Sequence, residues 1–212
     1  MIGNSYYWRK LHSLLGVIPL GGFILVHVSI NFQAFERGPE GFANYVHFIN
    51  SLPLKPLLEI FGIYLPILFH GIYGLYMAYQ SDLNSGQYTY GRNWAFTLQR
   101  ITGVLTFIFV FWHFFNTRLQ VYLGNITHED LGSTMHQIAI NPVLFIIYVI
   151  GVLSAAFHFS NGLWAFLISW GITISSRSQK FVLISLLFFI SLVAFTGDEF
   201  AIGLDHRTNY RS

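Results

Sequence analysis

Five long apolar stretches limit what this chain can fold into more than any other feature of its sequence. A helix needs about 20 mostly apolar residues to cross the hydrocarbon core of a bilayer. Stretches of that kind run from Leu11 to Phe32, Pro56 to Tyr79, Trp94 to Leu119, Pro142 to Trp170 and Phe181 to Ile202. Charged residues make up only 9% of the 212 residues, against about 25% in a typical soluble domain. A chain so poor in charge cannot coat itself with solvated groups, so lipid must be part of its solvent. The expected fold is all-α: one domain over 1–212, an integral membrane bundle of five transmembrane helices. Pro56 and Pro142 stand at helix starts, where a missing N–H costs little. Pro19 and Pro66 fall inside spans and are expected to kink them. The longest connections, Gln33–Lys55 and Tyr122–Asn141, hold about twenty residues each, too few for a soluble domain. Within the first, Gly38–Ser51 offers a modest amphipathic, interfacial helix.

The net charge is +2 with no cysteine. The absence of basic runs argues against a nucleic-acid partner. The absence of thiols excludes disulfides, iron–sulfur ligation and covalent c-type haem attachment by this chain. Met1–Lys10 lacks a cleavable-signal pattern, so the first apolar stretch is read as a permanent span. Arg9, Lys10, Arg92, Arg100, Arg177 and Lys180 gather at one end of the spans. The other end has Arg37, Lys55 and Arg118 among Glu36, Glu40, Glu59, Glu129 and Asp130. The positive-inside rule then puts the N-terminus in the cytoplasm and the C-terminus outside.

An ionisable side chain inside a span is expensive and points to function. Four of the nine histidines lie well inside spans, one in each of the first four: His27, His70, His113 and His158. Odd and even spans run in opposite directions. At 1.5 Å of rise per residue, His27 and His113 therefore come to one depth toward the outside, and His70 and His158 to another toward the cytoplasm. Haem iron takes two axial ligands on opposite faces of a flat ring, and facing helices can supply one each. Two pairs at two depths thus predict two haems, each held between two histidines. A single such histidine is more often a packing residue or proton relay; four paired by depth are harder to explain that way.

Glycines fall at related places. Gly74 and Gly162 each follow a histidine by four residues, Gly16 and Gly103 lie at the depth of the cytoplasmic pair, and Gly62 and Gly151 at that of the outer pair. Each is expected to let backbone approach a macrocycle. Arg100 and Ser13, with Trp94 and Gln99, lie at the right depth to meet the propionates of the cytoplasmic haem, although snorkelling and the aromatic belt also explain them. His12 is interfacial and could hydrogen-bond a propionate, but its interface position alone explains it. His47, His128, His136 and His206 are read as solvated, and Glu59 as an interfacial carboxylate or a proton carrier.

The stretches Trp8–Gly16 (WRKLHSLLG), His70–Tyr76 (HGIYGLY), Asn93–Gly103 (NWAFTLQRITG) and Phe157–Trp164 (FHFSNGLW) resemble the cytochrome b558 subunits of Bacillus-type succinate dehydrogenases. The likeness covers nearly the whole chain and is weakest after Gly203. It implies a membrane-anchor subunit of a succinate:quinone oxidoreductase in the bacterial cytoplasmic membrane, an oxidoreductase component whose dicarboxylate chemistry lies on partner subunits. Those partners would be a flavoprotein subunit and an iron–sulfur subunit. By the same likeness His70 and His158 would hold a higher-potential haem b and His27 and His113 a lower-potential one, with electrons reaching a quinone, menaquinone in that family, near the outer face.

Two other readings compete. One is a two-haem anchor of another quinone-linked dehydrogenase or of a fumarate reductase. The other is a transporter with histidine relays and no haem, which should show inverted repeats or broken helices at mid-membrane; no repeat is evident.

Overall fold

Asparagine, proline and glycine mark the helix ends that frame the bundle. The computed structural model describes residues 2–83 and 86–180. The fifth expected span, Phe181 to Ile202, lies outside the described residues, as do His206 and the tail after Gly203. In order, the helices are α1 (Ile2–Val17), α2 (Pro19–Asn50), α3 (Lys55–Glu59), a π-helical turn (Ile60–Tyr64), α4 (Leu65–Tyr79), α5 (Gly91–Asn116), α6 (Arg118–Tyr122), α7 (Leu131–Ile140) and α8 (Pro142–Ser169). The described residues form no strand.

Four helical stretches are long and apolar enough to cross a membrane: span I (Ser5–Gln33), span II (Lys55–Tyr79), span III (Gly91–Tyr122) and span IV (Pro142–Ser169). The two internal prolines interrupt their spans as expected. Pro19 opens α2 just after α1 ends at Val17, with Ile18 N–H still reaching Leu14 O at 2.9 Å. Pro66 follows the π-helical turn, where Leu65 N–H reaches back to Ile60 O. A proline contributes no N–H to a helix, and a wider turn is one way to absorb the mismatch. The segment offered as interfacial, Gly38–Ser51, is helical to Asn50, beyond a break at Gly38 (φ 71°).

Span IV shows how local sequence sets both ends of a helix. Asn141 Oδ1 accepts from the backbone N–H groups of Val143 (3.1 Å) and Leu144 (3.2 Å), and Pro142 takes the first helical position. An asparagine cap followed by proline meets two orphan donors and leaves out a third. At the far end Gly171 adopts φ 72°, Gly171 N–H bonds Ile168 O at 3.0 Å, and Ile172 N–H bonds Leu167 O at 2.9 Å. This closed C-terminal turn needs a left-handed residue, which glycine supplies without a Cβ clash.

The helices pack as a ring. α1 lies against α4, α4 against α5, α5 against α8, and α8 back against α1, with α5 and α8 in the most extensive contact. α8 buries Gly151, Ser154, Ala156 and Ser160 together with Phe166, and such small residues let membrane helices approach closely. Spans I and III therefore face each other across the ring, as do spans II and IV. Outward-facing Phe61, Ile72, Ile108 and Ile146 are exposed, as expected of side chains solvated by lipid.

Each end of the ring is pinned by polar contacts. At the end nearest the N-terminus, Lys10 Nζ donates to Ser169 O at 2.5 Å and lies 4.8 Å from the Trp170 ring centroid. Trp170 Nε1 donates to Ser13 Oγ at 3.2 Å. These contacts tie span I to span IV.

Asn141→Ala should lower the unfolding free energy of the purified protein in mild detergent by about 1 kcal/mol, the usual value of such a cap. Denaturant titration followed by circular dichroism measures it, and an unchanged midpoint would show that the cap is dispensable.

Candidate functional site: two histidine pairs across the bundle

The diagonals of the ring carry the intramembrane histidines. His27 of span I and His113 of span III stand with ring centroids 6.0 Å apart and planes at 78°. His70 of span II and His158 of span IV stand 6.1 Å apart at 84°. The structure thus brings together the residues that depth alone had paired. If one metal ion sits between two imidazole nitrogens at about 2.0 Å from each, and each nitrogen lies about 1.1 Å from its ring centre, the centroids come to roughly 6 Å apart. Among the described residues no group of three or more His, Asp or Glu side chains is arranged to hold a metal ion. Two imidazoles per site suit a metal whose remaining ligands come from elsewhere, as in a haem.

The pair nearer the N-terminal end has its second nitrogens held. His70 Nδ1 donates to His12 O at 2.9 Å, and His158 Nδ1 faces Gln99 O at 3.1 Å, with Gln99 Nε2 also 3.1 Å from it; protonated, it donates to the carbonyl. With the proton kept on Nδ1, the lone pair lies on Nε2, the arrangement that metal-bound histidines favour. The Gln99 side chain completes the setting: its Nε2 donates to His158 O at 3.0 Å, and its Oε1 accepts from Asn161 Nδ2 at 2.7 Å.

The other pair is held differently. His113 packs against Phe109 (5.9 Å, 26°) and Tyr148 (6.0 Å), and its Nδ1 is buried without a hydrogen-bond partner among the described residues. His27 stacks on Phe23 at 5.5 Å, and its Nε2 lies 3.5 Å from Asn31 Nδ2. Buried polar atoms normally have partners, and among the described residues His113 Nδ1 has none.

The glycines divide. A Cβ on Gly16 would press on His70 and one on Gly103 on His158, so both do meet the pair at their depth. Gly74 and Gly162 instead make room for the His12 and Gln99 side chains, because the neighbouring helix fills the space beside them. Gly151 abuts Phe109, the ring stacked on His113, whereas Gly62 faces open space.

His12 is the residue that sequence reasoning missed. It is not a merely interfacial histidine: its ring stacks on His70 at 3.9 Å and 12°. The signal was available, since Leu11-His12 precedes Gly16 as Leu98-Gln99 precedes Gly103. Of the two expected propionate contacts, Arg100 Nη1 bonds Phe96 O at 3.0 Å, while its Nε is buried and unpaired among the described residues. The Ser13 hydroxyl donates to Lys10 O at 2.9 Å and accepts from Trp170.

Of the loop histidines, His47 is exposed as expected. His136 is half-buried because α7 packs on α8, with its Nδ1 enclosed and unpaired. His128 is half-buried beside Arg118 (3.4 Å). Burial, and then the Arg118 and Lys55 cations, lower its pKa below the ordinary histidine value.

Glu59 occupies a polar cluster at the opposite end of the ring. It pairs with Arg118 at 2.7 Å and Lys55 at 3.4 Å, and it accepts from Tyr122 OH at 2.9 Å. Tyr122 OH in turn lies 3.0 Å from Tyr64 OH. With two cations on it, this carboxylate serves first as a clasp between spans II and III.

Comparison with known proteins gives a consistent result. Residues 78–196 match the family described as the succinate dehydrogenase/fumarate reductase transmembrane subunit. The succinate dehydrogenase cytochrome b558 subunit of Bacillus subtilis (strain 168) is 47% identical over 194 residues, covering 91% of this chain and 94% of that protein. No solved structure matches.

Glu59 and Arg118 should be energetically coupled, because removing either leaves the other charge partly buried. A double-mutant cycle with Glu59→Gln and Arg118→Gln in detergent should give a coupling of about 1 kcal/mol or more, above the value of a fully exposed pair. Strict additivity would reduce the clasp to a chance contact.

Proposed function

We propose that this chain, which belongs to the family of succinate dehydrogenase/fumarate reductase transmembrane subunits, binds two haems b, one between His70 and His158 and one between His27 and His113. Its role is that of the membrane anchor in a succinate:quinone oxidoreductase. The observation that carries the haem reading is the pair of diagonals, each with two imidazoles at the spacing that one shared metal ion requires. Bound haem supplies one-electron carriage between the iron–sulfur subunit of the complex and a membrane quinone, menaquinone in our reading.

The residues of the chain do the rest. His12 and Gln99 offer carbonyls that keep the Nδ1 protons of the first pair in place. Arg100, with its unpaired Nε, is the better placed of the two proposed propionate contacts, and Ser13 the second. Lipid-facing side chains and the packed α5–α8 contact keep water from the bundle. The basic end, which holds the N-terminus, Arg92 and Arg177, faces the cytoplasm and the flavoprotein and iron–sulfur partners; the C-terminus lies outside.

Pyridine haemochrome analysis of the purified complex should give two haems b per chain, and a value near one or zero would sink the proposal. In redox titrations His70→Ala and His158→Ala should disturb the same haem component, and His27→Ala and His113→Ala the other. Loss of one component by His27→Ala and His70→Ala alike would break the pairing. Trypsin should cut at the exposed Arg92 and Arg177 in inverted vesicles stripped of soluble subunits. Cleavage there in right-side-out vesicles instead would reverse the orientation.

A further inference from the structure

Two helix contacts near the N-terminal end of the ring are built to one plan. In span I His12 is followed four residues on by Gly16, and in span III Gln99 is followed four residues on by Gly103. Each segment meets a histidine that is itself followed four residues on by glycine, His70 with Gly74 in span II and His158 with Gly162 in span IV. The fit is reciprocal. A Cβ on Gly16 would come within 2.8 Å of His70 Nδ1, and one on Gly103 within 2.8 Å of His158 Cε1 and 3.1 Å of its Nδ1. In return, a Cβ on Gly74 would stand 3.1 Å from His12 Nε2, and one on Gly162 3.2 Å from Gln99 Nε2.

Helix geometry explains the spacing. The carbonyl of a helical residue points along the axis toward the residue four positions on. Leaving out the Cβ at that later position opens a side approach to the carbonyl. Both imidazoles enter by this route, His70 to His12 O at 2.9 Å and His158 to Gln99 O at 3.1 Å. Each carbonyl thus keeps its place in its own helix while taking a second donor on its other lone pair. The side chain of the same residue then closes over the histidine, by ring stacking from His12 and by the Gln99 amide bond to His158 O.

We propose that Gly16 with His12, and Gly103 with Gln99, are positioning residues for His70 and His158. Each couple presents a backbone carbonyl that holds the imidazole by Nδ1 and so turns Nε2 toward the metal. This inference rests on reading His70 and His158 as ligands of one haem. Among the described residues no such carbonyl is found for His113 Nδ1, so the effect of losing one is confined to the haem of His70 and His158. A hydrogen bond from Nδ1–H makes an axial imidazole a stronger donor and stabilises the ferric state. Its loss should raise the midpoint potential of that haem alone.

The test uses Gly16→Ala and Gly103→Ala in the complete complex, with redox titration and the low-spin ferric electron paramagnetic resonance signals as readouts. Both variants should raise the midpoint and move the signal of the component that His70→Ala and His158→Ala disturb, with the other component unchanged. Gly22→Ala, where no atom of the described residues lies within 4 Å of an added Cβ, should leave both components as they are. Should the alanine variants fail to assemble, Gln99→Ala keeps the carbonyl and removes only the closing amide, and it should still move the same component. Unchanged potentials and signals in the assembled variants, or equal shifts in both components, would overturn the inference. If instead His70→Ala and His158→Ala disturb different components, the haem assignment itself fails, an outcome read separately from that of the glycines.

Discussion

A polar atom inside a bilayer has no water to turn to, and the arrangement of this protein follows from that constraint. Each buried donor or acceptor must find a partner within the protein or on a bound group. The four intramembrane histidines meet this demand in two ways. His70 and His158 each donate one nitrogen to a backbone carbonyl on the next helix of the ring. His27 and His113 pack against aromatic rings, and His113 Nδ1 finds no partner among the described residues. In both pairs the rings converge across the bundle, so the polar demand is concentrated on two diagonals.

The ring order of the helices makes those diagonals. Small residues of α8, among them Gly151, Ser154 and Ser160, bring it close to α5, and α1 spans from α4 to α8. Spans I and III are thereby set opposite each other, as are spans II and IV. Polar contacts at the two ends hold this order: Lys10, Ser13 and Trp170 at one end, and Glu59, Arg118 and Tyr122 at the other. Both clasps join helices distant in sequence, at the depth where apolar side chains give way to the interface. There the desolvation cost of a charge is smaller than at mid-membrane.

Much of this was legible beforehand because membrane physics writes strongly into sequence. The four described spans follow from apolar length alone, and the pairing of His27 with His113 and His70 with His158 follows from alternating direction and constant rise. The helix start at Pro142 and the interruption at Pro19 were equally readable, being matters of local backbone chemistry. The neighbours across helices were not. Glu59 and Arg118 are 59 residues apart, and nothing in either segment names the other. His12 looked like an interfacial residue because depth was used to judge it. Its rotation toward His70 depends on how α1 is turned against α4.

The sequence by itself determined that the chain crosses a membrane, which four of the described stretches do so, and at which depths its histidines lie, since each of these depends on local composition and a fixed rise per residue. It also showed the family to which the chain belongs, through four short stretches, two of which carry His70 and His158. Only the tertiary structure decided what the glycines do. Gly16 and Gly103 admit imidazoles to backbone carbonyls, Gly74 and Gly162 admit the side chains of His12 and Gln99, and Gly62 meets nothing. A glycine carries no side chain from which its partner can be read. Its meaning lies in the space beside it, and that space exists only once two helices have been set at a given rotation and distance.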